Sequence, residues 1–138
     1  MGYTLAQELI RNKITVVAYD HLPAHRRKAA DNGIVTTSSV QGVLLHLPTQ
    51  RILFCVLGSE TEARKVCSQL QPLLEAPDIL VNIGFKSHHD QLFKTNNVLE
   101  VKFEDAALDI TGSQFAYNIC KPIFETIAKG NLIRFSKL

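Results

Sequence analysis

Two spacings of apolar residues alternate along the chain, one typical of amphipathic helices and one typical of buried strands. The helical spacing predicts helices over 3–12, 23–30, 38–46, 61–74, 87–95 and 114–128. Runs of apolar and β-branched residues predict strands over 14–19, 34–37, 51–57, 79–83, 98–103, 107–110 and 132–135. Pro23 suits the first turn of its helix, whereas Pro122 predicts a kink or an interruption of the last helix.

This alternation determines the fold class. Strands that alternate with helices of ten to fifteen residues predict right-handed βαβ units and a mostly parallel sheet with helices on both faces. A chain of 138 residues is long enough for one domain with a sizeable core. We therefore expect a single α/β domain over residues 1–138.

Composition and charge exclude several classes of protein. The net charge of +2 is too small to argue for binding to nucleic acid or to a membrane surface. No apolar run approaches the ~18 residues of a membrane span. The first helix is amphipathic rather than continuously apolar, so no signal peptide is expected. Three cysteines lie far apart among apolar neighbours and read as reduced core thiols of a cytoplasmic protein.

The spacing between Gly2 and Asp20 provides the first functional signal. In a dinucleotide-binding fingerprint, a last glycine permits close packing of helix on strand, and an acid about 20 residues later binds the ribose hydroxyl. Asp20 follows a predicted strand, as that role requires, although a simple turn residue fits the same position. His21 and Arg26 offer positive charge to a ribose 2′-phosphate, although a solvated helix face also explains them.

Longer matches strengthen this interpretation. Residues 1–20 resemble the start of 6-phosphogluconate dehydrogenases and related β-hydroxyacid dehydrogenases, in which a G-x-G-x-M-G turn, a helix and a strand ending in Y-D follow one another. Residues 55–83 resemble that family's M-V-P-A-G-E turn, a helix ending in P-L-L-E and a G-D-I-I-I-D strand. Residues 112–128 are similar to its G-G-D…P-I-F-x-x-I-A helix. The pieces occur in family order and cover almost the whole chain.

The resemblance implies a Rossmann-like fold that binds NAD or NADP. The positions matching the family's cofactor contacts are Gly2, Asp20, His21, Arg26, Leu57 and Gly58. It also implies an oxidoreductase-related protein of the type that acts in the pentose phosphate pathway.

Departures from the family pattern lower that expectation. The first strand of the fold and the first two glycines are missing, so we expect a truncated domain whose dinucleotide affinity is weak or residual. Leu57-Gly58-Ser59 replaces the V-P-A-G loop, and the G-G-N-S segment falls on residues 83–86 without its Asn and Ser. The S-G-G substrate loop is deleted between Val101 and Ala106. The helical domain that supplies the family's catalytic lysine would begin where this chain ends, so no catalytic residue and no dehydrogenase activity of its own are expected.

The runner-up function is a non-catalytic interaction module on a degenerate scaffold, which pairs with itself or with a partner chain. Loss of the first strand would leave two strands with open edges, which favour a homo-oligomer. No metal site is expected. His21 and His25 have a suitable spacing, but Pro23 lies between them and no third ligand is evident, and the histidines of His88-His89-Asp90 are interpreted as incidental.

Overall fold

The computed structural model describes residues 2–48, 50–56, 59–84, 97–104 and 106–137. Contacts divide the chain into two compact units, Met1–Pro48 and Thr49–Leu138. Each unit has its own sheet, one of two strands and one of five. None of the described helices is long and apolar enough to cross a membrane.

The first unit is a βαβ arrangement with one additional helix on each side in sequence. Its elements are α1 (Gly2–Arg11), β1 (Val17–Ala18), α2 (Pro23–Asp31), β2 (Val35–Thr36) and α3 (Val40–Leu45). Strands β1 and β2 are parallel. Ala6 of α1 and Ala29 of α2 are buried with Ile34 in one cluster, and Val16 and Ala18 pack against it. The small side chains allow the helices to lie close to the strands.

Strand β1 is shorter than the segment 14–19 predicted from its β-branched residues. The Ile14 N–H still donates to the Leu9 carbonyl at 3.0 Å, so the terminal turn of α1 extends to that residue. Lys13 takes a positive φ of 64° within this turn. Strand β1 therefore begins only after the last turn of α1 has ended. It pairs with only two residues of β2, Val35 and Thr36.

The second unit contains the larger sheet. Its elements are β3 (Ile52–Val56), α4 (Glu60–Leu70), β4 (Ile79–Ile83), β5 (Val98–Glu104), β6 (Ala107–Gly112), α5 (Gln114–Ala128) and β7 (Leu132–Lys137). The strand order is β3-β4-β5-β6-β7. Every neighbouring pair is parallel except β5 and β6, which are antiparallel. The α/β fold class with a mostly parallel sheet is confirmed. The helix predicted over 87–95 lies outside the described residues.

The core of this unit is built around β4 and α5. All five residues of β4 are buried, as expected of a central strand with neighbours on both sides. Phe124 and Cys120 of α5 are fully buried, and Tyr117 stacks on Phe135 of β7 with ring centroids 4.2 Å apart. Helix α5 continues through Pro122, so the interruption that this proline predicts does not occur.

Two boundaries differ from prediction for clear physical reasons. Helix α4 ends at Leu70 rather than Leu74, because Pro72 has no N–H to continue the hydrogen-bond ladder, although Gln71 before it still has helical backbone. Strand β6 extends to Gly112, whose φ is 147°. A Cβ at Gly112 would lie 2.1 Å from the Val98 carbonyl oxygen, so only glycine permits this close approach.

A buried ion pair joins the beginnings of β3 and β4. The Asp78 side chain is 1% exposed and that of Arg51 14% exposed, and Arg51 Nη2 donates to Asp78 Oδ2 at 2.8 Å. The carboxylate also accepts the backbone N–H groups of Arg51 (3.0 Å) and Glu75 (2.8 Å). Burial opposes ionisation, but the Arg51 side chain and these amides outweigh it and hold the pKa of Asp78 below its usual value.

We expect Asp78→Ala to lower the free energy of unfolding by ~3–5 kcal/mol, because it leaves the mostly buried Arg51 guanidinium without its partner. Since folding lowers the pKa of Asp78, the stabilisation is complete above the unfolded value of about 3.9 and is lost as pH falls through the folded value. Urea denaturation at several pH values measures both effects. Asp109→Ala, which removes the partner of the exposed Arg134, is the matched control and should lower the free energy of unfolding much less. Equal losses for the two variants would contradict the account.

Candidate functional site

The turn after β1 is held by the carboxylate of Asp20. Strand β1 ends at Ala18, and α2 begins at Pro23, whose fixed φ suits the first helical turn. Asp20 Oδ1 accepts the backbone N–H of Leu22 at 2.9 Å, which closes a tight turn between strand and helix. Leu22, the residue before the helix, has no side-chain cap of its own. Asp20 therefore fixes the point at which the chain leaves the strand.

Two histidines lie beside this carboxylate. His25 Nδ1 is 3.2 Å from Asp20 Oδ2, within hydrogen-bond distance, and it donates whenever that nitrogen carries a proton. His21 Nδ1 lies 3.6 Å from Asp20 Oδ1. The Asp20 side chain is 44% exposed and those of His21 and His25 are 57% and 59% exposed, so a ligand in solution can reach all three.

Arg26 adds a fixed positive charge at the same place. Its Nη1 donates to the backbone carbonyl of Asp20 at 2.7 Å, and its guanidinium carbon lies 5.9 Å from the centre of the Tyr19 ring. A guanidinium has five N–H donors, so the contact with the carbonyl leaves others available to an anion. These contacts hold the group one turn into α2, next to the strand end.

The Asp20 carboxyl is held in its ionised form. Partial burial acts against ionisation, but the hydrogen bonds from Leu22 and His25 and the charges of both histidines outweigh it, so the pKa of Asp20 lies below its usual value. An ionised carboxylate accepts hydrogen bonds and repels phosphate. The strand end is therefore suited to hydroxyl groups of a ligand, beside cationic groups that are suited to an anion.

The structure brings together three of the residues proposed from sequence, Asp20, His21 and Arg26. Gly2 is the first residue of α1, in the same unit. Leu57 and Gly58 lie outside the described residues. From the sequence, His25 was considered only as a metal ligand, and its contact with Asp20 was not predicted. The signal for this contact is the position of His25 in the first turn of a helix that begins at Pro23, directly after the strand that Asp20 follows.

The second unit presents the carboxyl ends of β3 and β4 at one edge of its sheet, where α/β folds bind ligands. Asn82 lies one residue before the end of β4, and its buried Nδ2 has no hydrogen-bond partner among the described residues. Gly84 follows with a φ of 89°. Lys86 and His88-His89-Asp90 lie outside the described residues. Within the described ranges, no group of three metal-binding side chains exists.

Comparison with known families decides the identification. The model of the NAD-binding domain of 6-phosphogluconate dehydrogenase matches residues 1–104, which include β1, Asp20 and the parallel strands β3 to β5. The chain belongs to this family. Comparison with curated proteins gives no sequence match.

Solved structures share the fold of this 6-phosphogluconate dehydrogenase-type domain. An imine reductase from a Pseudomonas species matches with a TM-score of 0.79 at 13% identity, over 99% of this chain and 52% of that one. A variant imine reductase of Myxococcus stipitatus in complex with NAD+ matches with a TM-score of 0.78 at 13% identity, over 99% of this chain and 51% of that one. Prephenate dehydrogenase of A. aeolicus, in complex with NAD+ and hydroxyphenyl propionate, matches with a TM-score of 0.73 at 16% identity, over 100% of this chain and 56% of that one. At such identities the likeness shows the fold alone, and the chain spans about half the length of these proteins.

We expect the carbon titration of the Asp20 carboxyl, followed by nuclear magnetic resonance, to have a midpoint below the ~3.9 of an unstructured aspartate. His25→Gln should raise that midpoint, because it removes one hydrogen bond and one nearby charge from the ionised form. Arg27→Gln, which lies on the same exposed helix, is the control and should leave it unchanged. A midpoint at or above 3.9 in the wild type would show that the contacts do not hold the carboxylate.

Proposed function

We propose that residues 1–138 form a single dinucleotide-binding domain that binds NAD or NADP weakly through the strand end of its first unit. The observation that supports this proposal best is the ionised carboxylate of Asp20 at the carboxyl end of β1. In dinucleotide-binding domains an acid at this position accepts hydrogen bonds from the ribose. Membership in a family of NAD-binding domains also supports dinucleotide binding.

The pyrophosphate contact is the weak part of the proposed site. Gly2 opens α1, and the N–H groups of a first helical turn attract phosphate. In the fingerprint, two earlier glycines bring further backbone against the pyrophosphate, and the 138 residues contain no counterpart of them before α1. Leu57 and Gly58, which follow β3 in sequence, are the further cofactor contacts that we propose. These 138 residues by themselves therefore offer the pyrophosphate fewer backbone donors than the full fingerprint provides.

Cofactor choice is balanced at this strand end. Asp20 accepts from a ribose 2′-hydroxyl and repels a 2′-phosphate, which favours NAD. His21 and Arg26 act in the other direction, since Arg26 lies within 2.7 Å of the Asp20 carbonyl and carries a permanent charge. We propose a slight preference for NAD.

We expect calorimetric titration of the 138-residue chain to give dissociation constants for NAD+ and NADP+ weaker than micromolar. Each missing charge-assisted contact is worth ~1.5–3 kcal/mol, so loss of two weakens binding on the order of a hundredfold or more. Asp20→Ala should weaken NAD+ binding further, whereas Asp31→Ala, at the far end of α2, should not. A micromolar constant for the wild type would contradict the account of the pyrophosphate contact, and unchanged NAD+ affinity in Asp20→Ala would leave Asp20 as a turn residue.

We propose no catalytic residue in this chain. In oxidoreductases of this type the cofactor domain orients the nicotinamide, and a further domain supplies acid–base groups. We propose that the chain has no dehydrogenase activity of its own and that any reaction related to the pentose phosphate pathway needs other residues. All three cysteines are free, and burial raises the pKa values of Cys55 and Cys120 to about 12. Such inert thiols fit a reducing cytoplasm.

An interaction module is the second candidate function, and the edge strand β3 favours it. The Ile79 N–H donates to the Arg51 carbonyl at 2.8 Å. Alternate residues of β3 therefore bond to β4. Ile52, Phe54 and Val56 direct their N–H and C=O groups to the other edge, which pairs with no other described strand of the five-stranded sheet. All five residues of β3 are apolar or thiol-bearing. An apolar edge without a charge or proline invites pairing with another strand, from a second copy or a partner chain.

We expect the chain to sediment as a dimer or a larger species at micromolar concentration. Val56→Pro should shift it towards monomer, because proline removes an N–H from the outer edge without removing a bond to β4. A proline placed at Leu53, whose N–H bonds to β4, is the control for general destabilisation. A wild-type monomer with a cooperative melt would contradict the association.

A further inference from the structure

Helix α2 ends in a tight turn at Asn32 and Gly33. The Gly33 N–H donates to the Ala30 carbonyl at 3.1 Å, and the Ile34 N–H donates to the Ala29 carbonyl at 3.1 Å. This pair of bonds is the Schellman motif, in which the residue after the helix cap takes left-handed backbone, and Gly33 has a φ of 83°. Ile34 and Ala29 are buried in the same apolar cluster, so the turn attaches the helix end to the core of the first unit.

The side chain of Asn32 adds a further hydrogen bond to this turn. Its Nδ2 donates to the Lys28 carbonyl at 2.8 Å, in the last turn of the helix, where backbone carbonyls lack the regular helical donor. The backbone N–H of Asn32 bonds instead to the Ala29 carbonyl at 3.0 Å. The residue itself is exposed to solvent. In the folded chain, the side-chain amide of Asn32 and the N–H of the glycine after it are therefore both held by hydrogen bonds.

These two groups are the reactants of asparagine deamidation. The backbone nitrogen of the following residue attacks the side-chain carbonyl carbon, loses its proton and forms a cyclic succinimide, while the side-chain nitrogen takes up a proton and leaves as ammonia. Water then opens the ring at one of its two carbonyl carbons and gives aspartate or isoaspartate. Glycine has no Cβ to hinder the attack. Asn32 is the only asparagine of the sequence that glycine follows, and water is the only co-reactant.

We propose that Asn32 is a site of spontaneous deamidation and that the folded end of α2 restrains the reaction. The Gly33 nitrogen is held by the Ala30 carbonyl and the Asn32 amide by the Lys28 carbonyl, so both bonds have to open before the ring can form. The sheet beside this helix has only two strands, and helix ends in such small units open more often than a central core. The reaction therefore proceeds through local opening of the helix end.

The products no longer fit this turn. An aspartate at position 32 has no N–H to donate to the Lys28 carbonyl, and its negative charge lies at the helix C-terminus, where the helix dipole is also negative. Isoaspartate in addition inserts a methylene group into the main chain before Gly33, which displaces the two backbone bonds of the turn. Ile34 and β2, which begins at Val35, follow directly. Modification therefore weakens the attachment of both α2 and β2 to the core of the first unit.

The test incubates the 138-residue chain at pH 8.5 and 37 °C, with and without denaturing urea. Tryptic peptides are then followed by chromatography and mass spectrometry, which separate the aspartyl and isoaspartyl products. Residues 29–51 form one such peptide, in which Asn32 is the only asparagine. We expect both products at Asn32 in both samples, formed about tenfold more slowly without urea because the hydrogen bonds of the turn have to open first. Asn131, which is also exposed and lies shortly after α5 but precedes Leu132, is the matched control and should give much less product.

Each result decides one part of the inference. Absence of product at Asn32 in the folded chain, or equally fast reaction at Asn131, overturns the assignment of the site. Equal rates at Asn32 with and without urea overturn the restraint by the helix end. Asn32→Asp makes one product directly and should lower the urea midpoint measured by circular dichroism, whereas Asp31→Asn, which removes a negative charge from the same helix end, should not lower it. An unchanged midpoint in Asn32→Asp overturns the proposed effect of the modification on the turn.

Discussion

The hydrogen bond from the Leu22 amide to the Asp20 carboxylate is the contact on which the candidate site depends. It closes the turn after β1 and sets where α2 begins. Because α2 begins at this point, the side chains of His25 and Arg26 in its first turn contact Asp20 at the strand end. One short-range contact therefore determines both the local backbone and the charge distribution that a ligand would meet.

That arrangement gives the strand end two opposite tendencies. An ionised carboxylate suits ribose hydroxyls, whereas a guanidinium and two imidazoles suit phosphate, and all of them lie within one turn of backbone. Since fold alone does not determine function, the chemistry has to be argued from these groups and not from the sheet around them. The 138 residues span about half the length of the similar solved proteins.

The sequence predicted the second unit better than the first. Strand β4 and helix α5 have the predicted bounds, because a fully buried apolar run and a capped amphipathic helix are specified locally. Strand β1 was predicted too long, since β-branched residues do not show that the helix turn before them ends at Ile14. Helix α4 ends before the predicted Leu74, because Pro72 has no N–H to continue its hydrogen-bond ladder.

The candidate site was predictable only in part. The spacing from Gly2 and the position after a strand were enough to select Asp20, and proximity in sequence was enough for His21. The contact of His25 with Asp20 depends on the rotation of α2 about its axis, which is set by the turn at Leu22 and not by composition. The environment of Asn82 likewise depends on which groups lie over β4, and the pattern of apolar residues did not indicate a buried amide there.

Mapping of NAD+ binding by amide chemical shifts tests the central claim most directly. With millimolar NAD+ added to the 138-residue chain, the account predicts that the largest changes fall on the backbone amides of Tyr19 to Leu22 and on the His25 ring. These changes should be lost in Asp20→Ala, while the amides of β7 in the other unit stay unchanged. Changes centred on β6, α5 or β7, or an unchanged spectrum around Asp20 at saturating NAD+, would contradict the assignment of the cofactor site to this strand end.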